Sequence, residues 1–314
     1  MTFTSTTTTA TTTTALPAGC ARPRDGYFGA WRALAAFPAV AGSVLFMLVL
    51  TAALSRWQTP VFLVWLGASG VLSTGPGERL AVRARGFRRL SAPQRQALTP
   101  VVAATVARCG LSSEQVDWYF HSGAQPNACV AGRRSVAVTE GALEAFVAGR
   151  LTHDHLEAIL THEIGHLAQR ATSGALAIEW LAAPGRLAFR LVVSLACLLS
   201  GRRQLGWGNG LLLLIGGGIA LQRAVQHGQW TAALMLAGAA IATIATPLLD
   251  AALSRAPERA ADRYAADVGA GSNLARCLLV IGGSQSARRG WTWGLLDSHP
   301  SLEDRVDALT ANQM

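Results

Sequence analysis

The chain contains no lysine. All 27 of its basic residues are arginine, and with 18 acidic residues they give a formal net charge of +9. Charge is scarce overall, at 14% of the 314 residues, against about 25% in an average soluble domain. So few charges cannot cover the surface of a chain this size, which argues against a purely soluble domain. Cysteine is scarce too: five residues and no CxxC pair exclude a disulfide scaffold and a cysteine-based zinc ribbon. Apolar residues are abundant. They make up 51% of the chain, and the mean hydropathy is +0.31; both exclude a disordered chain. The arginines are not interleaved with aromatic residues, so nucleic acid is not an expected partner.

A helix that crosses a membrane needs about 20 consecutive apolar residues. Four charge-free runs reach that length: 33–55, 57–77, 204–222 and 224–249. They form two tight pairs and read as two membrane hairpins, over 33–77 and 204–249. The stretch 187–200 is interrupted by Arg190 and reads as an interfacial or core helix. Arginines cluster at residues 79–95 and near the N-terminus, whereas each hairpin loop carries a single one, Arg56 or Arg223. By the positive-inside rule both termini and the middle segment face the cytoplasm. Residues 1–30 open on a threonine-rich tract and read as a low-complexity tail. They lack the basic segment that precedes the apolar core of a secretory signal.

The remaining segments, 78–203 and 250–314, add up to one domain split by the second hairpin. The pattern predicts a helix over 91–109, with Ser91 as its cap and Pro93 in its first turn. Short strands are expected at 116–121 and 135–138, with 127–131 extended beside them. The clearest amphipathic helix covers 151–171. It contains His162-Glu163-Ile164-Gly165-His166. Histidines at i and i+4 share one helical face, so both imidazoles can reach one tetrahedral metal ion. Glu163, beside the first histidine, is placed to take a proton from water. This is the HExxH pattern of zinc metallopeptidases. A third protein ligand is then required. Glu258 and Asp262 lie one turn apart in the run Ser254–Asp262, where Pro257 suits the first turn of a new helix. Glu258 is the candidate ligand, and Asp262 the candidate partner for the outer nitrogen of a ligand histidine. An ExxxD pair by itself is common on solvated helices; here it follows HExxH.

Together these motifs resemble the HtpX-like membrane zinc metallopeptidases, relatives of the CAAX prenyl proteases. Besides His162-Glu163-xx-His166 and Glu258-xxx-Asp262, the segment Asn127-Ala128-Cys129-Val130-Ala131-Gly132 resembles that family's NAFxxG element. His299-Pro300, followed by Arg305, resembles its HPxxxxR element. Cys129 departs from the phenylalanine usual in the family. The resemblance implies one Zn²⁺ bound by His162, His166 and Glu258, with Glu163 as the catalytic base. It also implies an edge strand at Asn127 and Ala128 that binds substrate, His299 as an oxyanion donor, and Arg305 orienting that region.

The expected fold is therefore a mainly α membrane protein: four transmembrane helices plus a cytoplasmic zincin-like α+β metalloprotease domain split by the second hairpin. The expected function is a membrane-anchored zinc endopeptidase in a bacterial-type cell membrane. Its expected partners are a lipid bilayer and peptide or protein substrates, misfolded membrane proteins among them. A peptide- or prenyl-protein-processing protease and a catalytically idle membrane scaffold are the alternatives. A channel or transporter would carry charge within its spans, and the four runs carry none.

Overall fold

The computed structural model describes residues 25–52, 55–170, 175–199, 207–282 and 301–311. A four-stranded mixed sheet organises the catalytic part of the chain. Its strands are β1 (Arg88–Arg89), β2 (Asp117–His121), β3 (Ala128–Ala131) and β4 (Ser135–Thr139), in the order β1-β2-β4-β3. β2 runs parallel to β4, while β1 and β3 run antiparallel to their neighbours, with Ala128 opposite Val138 and Ala131 opposite Ser135. β4 is buried along its whole length and is the axis of the sheet. β3, joined to β4 by a turn through Gly132 with φ +65°, forms the edge.

Alternation along the strands sends side chains to two different cores. Ala128, Val136 and Val138 face a core built from α4 (Ala92–Arg108), α5 (Glu140–Val147) and α6 (His153–Arg170). Ala131 and Ala137 face the other way, onto Val82 of α3 (Gly75–Ala84) and Phe87. Cys129 packs in this second cluster, on the face of the sheet opposite α6. The element starts follow the sequence closely. Ser91 accepts from the backbone N–H of Gln94, and Gln94 in turn accepts from that of Ser91, a complete capping box at the head of α4. Thr139 ends β4 and caps α5 by accepting from Ala142 N–H at 3.2 Å.

The expectation of four membrane spans does not survive. Among the described residues no helix is both long and apolar enough to cross a membrane. The run 57–77 is broken: α2 (Gln58–Leu72) has 15 residues and is followed by a separate α3. At 1.5 Å per residue α2 is about 22 Å long, short of a hydrocarbon core of about 30 Å. α1 (Asp25–Ala52) includes Asp25, Arg32 and Pro38. α8 (Trp207–Gln226) includes Asn209, three consecutive glycines and Arg223. α9 (Trp230–Asp267) runs on into the charged segment that bears Glu258. Absence of charge is not apolarity, since glycine, asparagine, threonine and proline dilute a charge-free run. Four corrections follow: to the transmembrane fold class, to the membrane anchoring written into the function, to the lipid bilayer as a partner, and to the multi-pass cell-membrane location with a cytoplasmic domain. What the structure shows is a mainly α-helical chain with a mixed sheet.

Two further boundaries differ from the sequence reading. Residues 187–199 belong to a longer helix, α7 (Ala175–Leu199), and residue 200 lies outside the described residues. Pro257 lies inside α9, which is followed by α10 (Gly271–Gly282), and does not start a helix. α7 meets α1 closely: Gly185 N–H donates to Ser43 Oγ at 2.7 Å, and a Cβ on Gly185 would lie 2.3 Å from the Ala39 carbonyl oxygen.

The contact that positions the site is the crossing of α6 and α9. A Cβ on Gly165 would sit 3.0 Å from Ala261 Cα and 3.2 Å from Tyr264 Cβ. Glycine in a helix interior ordinarily costs up to about 1 kcal/mol relative to alanine. Gly165→Ala should therefore give the opposite sign, a loss of about 1–3 kcal/mol from overpacking. Gly67→Ala in α2, where nothing lies within 4 Å of the new methyl, should stabilise. Urea unfolding of both variants checks the contrast; equal gains would mean that the crossing is not tight.

Candidate metal centre

α6 starts where Thr152 Oγ1 accepts from His155 N–H at 3.2 Å, with Asp154 in the first turn favoured by the helix dipole. From Leu156 to Leu167 every residue is buried. The apolar positions Leu156, Leu160 and Leu167 lock the helix under the sheet. His162, Glu163 and His166 are held in this buried stretch at 6%, 7% and 8% exposure.

α9 supplies the other side of the site. His162 Nε2 and His166 Nε2 are 3.1 Å apart. Glu258 Oε2 lies 3.5 Å from the first, and Glu258 Oε1 lies 3.3 Å from the second. One ion held tetrahedrally at zinc–ligand distances has donors about 3.3–3.4 Å from each other; these approaches are of that size, with each Glu258 oxygen turned to one histidine. At 3.1 Å the two ring nitrogens have either a shared proton or a cation between them. His162, His166 and Glu258 are a group of potential ligands whose donor atoms all lie within 4.8 Å of each other.

Around this group is a ring of charge. His162 Nδ1 lies 2.9 Å from Asp262 Oδ1, within ion-pair distance. Arg305 of α11 (Leu302–Ala311) donates to both Asp262 oxygens, Nε to Oδ2 at 2.8 Å and Nη2 to Oδ1 at 2.7 Å. Its Nη1 is 3.4 Å from Glu258 Oε2. This two-pronged geometry is specific to arginine. With Glu163, Glu258 and Asp262 ionised and Arg305 charged, the cluster carries two uncompensated negative charges, which one divalent cation neutralises.

The titration directions say the same. Burial works against a charged His162, but Asp262 and Glu258 outweigh it and push its pKa up to about 9. Burial likewise favours a neutral Asp262, yet His162 and Arg305 hold its pKa below the ordinary carboxylate value. Without metal, the site collects a proton in its place.

Other residues singled out in the sequence fall as follows. Asn127 leads into edge strand β3. Its N–H donates to Thr139 Oγ1 at 3.0 Å, its carbonyl accepts from Thr139 N–H at 3.0 Å, and its Oδ1 accepts from Ala128 N–H at 2.9 Å. Ala128 is buried. Arg305 faces the two α9 carboxylates. His299 lies outside the described residues. The sequence reading missed Gly165, although a glycine between two metal-binding turns of a helix is itself a sign of close backbone approach. It also missed Glu157, buried one turn before Thr161.

Two histidines one turn apart, a glutamate beside the first and a carboxylate from a second helix define a zinc-dependent metallopeptidase centre for one Zn²⁺. Residues 92–313, more than two thirds of the chain, match peptidase family M48, and the chain belongs to that family. Among solved structures, one to which the chain is similar is the crystal structure of S. mikatae Ste24p. Identity is 18%, covering 85% of this chain and 62% of that one, with a TM-score of 0.47. This chain thus spans less than two thirds of that protein's length. No curated protein matches it in sequence.

The raised His162 pKa has a measurable consequence in the metal-free protein. Its stabilisation is complete below the unfolded value of 6.5 and is lost as pH rises through about 9. Thermal midpoints of the metal-free protein should fall across that window. Those of the zinc-loaded protein should not, because the proton has been displaced. A flat profile for the metal-free protein would contradict the assignment.

Proposed function

We propose that the chain is a zinc-dependent endopeptidase in which Glu163 is the catalytic base. His162, His166 and Glu258 hold the metal. The observation that carries this reading is the convergence of those three donors at zinc-like spacing beside a buried glutamate. Zn²⁺, when bound there, supplies Lewis-acid polarisation of a scissile carbonyl and lowers the pKa of water.

The rest of the work belongs to side chains. Glu163 accepts a proton from the attacking water and returns it to the leaving amine. Its low exposure keeps competing water away from the proton being moved. Asp262 orients the His162 ring through Nδ1, so that Nε2 presents its lone pair to the ligand position. Arg305 keeps Asp262 ionised and fixed. A peptide substrate pairs in extended form beside β3, along the edge that begins at Asn127 and Ala128. The turn that carries Asn127 is held in place by Thr139. His299 is the candidate oxyanion donor read from the sequence.

The test compares casein cleavage by zinc-loaded wild type and Glu163→Gln. Cleavage should drop about 10²–10⁴-fold in the variant with zinc stoichiometry unchanged. Equal cleavage by the two would remove Glu163 from the mechanism. Asp262→Asn should leave the three ligands in place yet weaken zinc binding about 10–100-fold, read by competition with a chelator. Wild-type affinity in that variant would mean that Asp262 does not support His162.

A further inference from the structure

A second group of ionisable residues lies on α6 itself, in the turns that precede His162. His153, Asp154 and Glu157 bring donor atoms together near the start of α6, but a cation already occupies this place. Arg108, the last residue of α4, donates from Nε to Glu157 Oε1 at 2.5 Å. Glu157 is almost fully buried, and Arg108 about one third exposed. The same guanidinium reaches the carbonyl of Gly269 at 3.4 Å through Nη1. Gly269 follows the end of α9 with φ +80°, and its N–H donates to Ala266 O at 2.9 Å. The left-handed conformation favoured by glycine helps set where its carbonyl points.

We propose that Arg108 is a positioning residue for the metal centre, setting the angle at which α6 and α9 cross. The proposal rests on the zinc-site reading above. Its basis is a triangle. The two helices touch at Gly165 and Ala261, which act as a pivot. Glu157 and Gly269 each lie eight positions from that pivot along their own chain segments, so each arm is about 12 Å at 1.5 Å per residue. Arg108 joins the far ends of the two arms. His162 and Glu258 each lie three positions from the pivot, on arms of about 4.5 Å. A slip of 1 Å at the far end therefore moves the ligands relative to each other by about 0.4 Å, and a metal site tolerates only about 0.2 Å. Ala158 and Ala265, both buried in the core between these arms, keep the helices close enough for one side chain to span them.

The experiment uses the full chain in three forms: wild type, Arg108→Lys, and the double variant Arg108→Met with Glu157→Met. The double variant removes both charges together, so no unpaired carboxylate is left buried. The lysine variant keeps the ion pair but cannot offer two fixed donors to Glu157 and Gly269. Measured for each are zinc affinity by chelator competition, the visible absorption band of the cobalt-loaded protein, and kcat and KM on casein. The double variant should keep wild-type circular dichroism, bind zinc about 10–100-fold more weakly, shift the cobalt band, and lose kcat at unchanged KM. Arg108→Lys should fall between it and wild type. Wild-type zinc affinity and cobalt band in the double variant would overturn the proposal. If the double variant does not fold, the lysine variant decides on the same two readouts. A wild-type protein that binds neither zinc nor cobalt would instead overturn the zinc-site reading itself.

Discussion

Two helices that belong to distant parts of the chain have to approach until their backbones nearly touch. α6 carries both histidines and the buried glutamate; α9 carries the third carboxylate and the aspartate behind it. Carboxylate and imidazole side chains are short, so donors on separate helices converge on one ion only at a tight crossing. Gly165 and Ala261 provide it, with no side chain on one helix and a single methyl on the other. Ala158 and Ala265 continue the small-residue seam. Leu156, Leu160 and Leu167 clamp α6 from the sheet side. The sheet itself serves the same end. β4 is wholly buried, and its two faces separate the core that carries the histidines from the layer formed by α3.

Charge is the second organising element. A buried carboxylate is costly unless it is paired. This site places three next to each other, and two of them, Asp262 and Glu258, share the same cationic partners. Arg305 spans Asp262 and approaches Glu258. His162 sits between those same two groups. The remaining charge imbalance is what gives the site its appetite for a divalent ion. A guanidinium suits this work because it does not lose its proton and presents its donors in a rigid plane. In a chain without lysine, every buried cation of this kind is necessarily an arginine.

Much of the centre was legible in the sequence, because its two halves are local patterns. His162 and His166 fall on one face by helical periodicity, and Glu258 and Asp262 do the same. Caps such as Ser91 are equally local, and the strands at 117–121 and 135–139 appear almost where alternation places them. Long-range and negative features were harder to read. Charge-free runs suggested membrane spans, because counting missing charges ignores glycines, prolines and early helix ends. Pro257 was read as a helix start, yet α9 runs through it. Arg108 could not be paired by inspection with Glu157, 49 positions on, or with Gly269, 161 positions on. Only the folded arrangement of α4, α6 and α9 brings them together.

The dependence of Asp262 on Arg305 also sets an order of events during synthesis. The two residues are 43 positions apart. A ribosome that has just delivered HExxH and the α9 carboxylates has not yet delivered the cation that balances them. Until α11 emerges and docks, the carboxylate behind His162 lacks its guanidinium, and the histidine lacks a fixed support. A chain without α11 would present the α9 carboxylates without their guanidinium. The charge set of the centre is complete only once α11 has docked and Arg305 spans the Asp262 carboxylate.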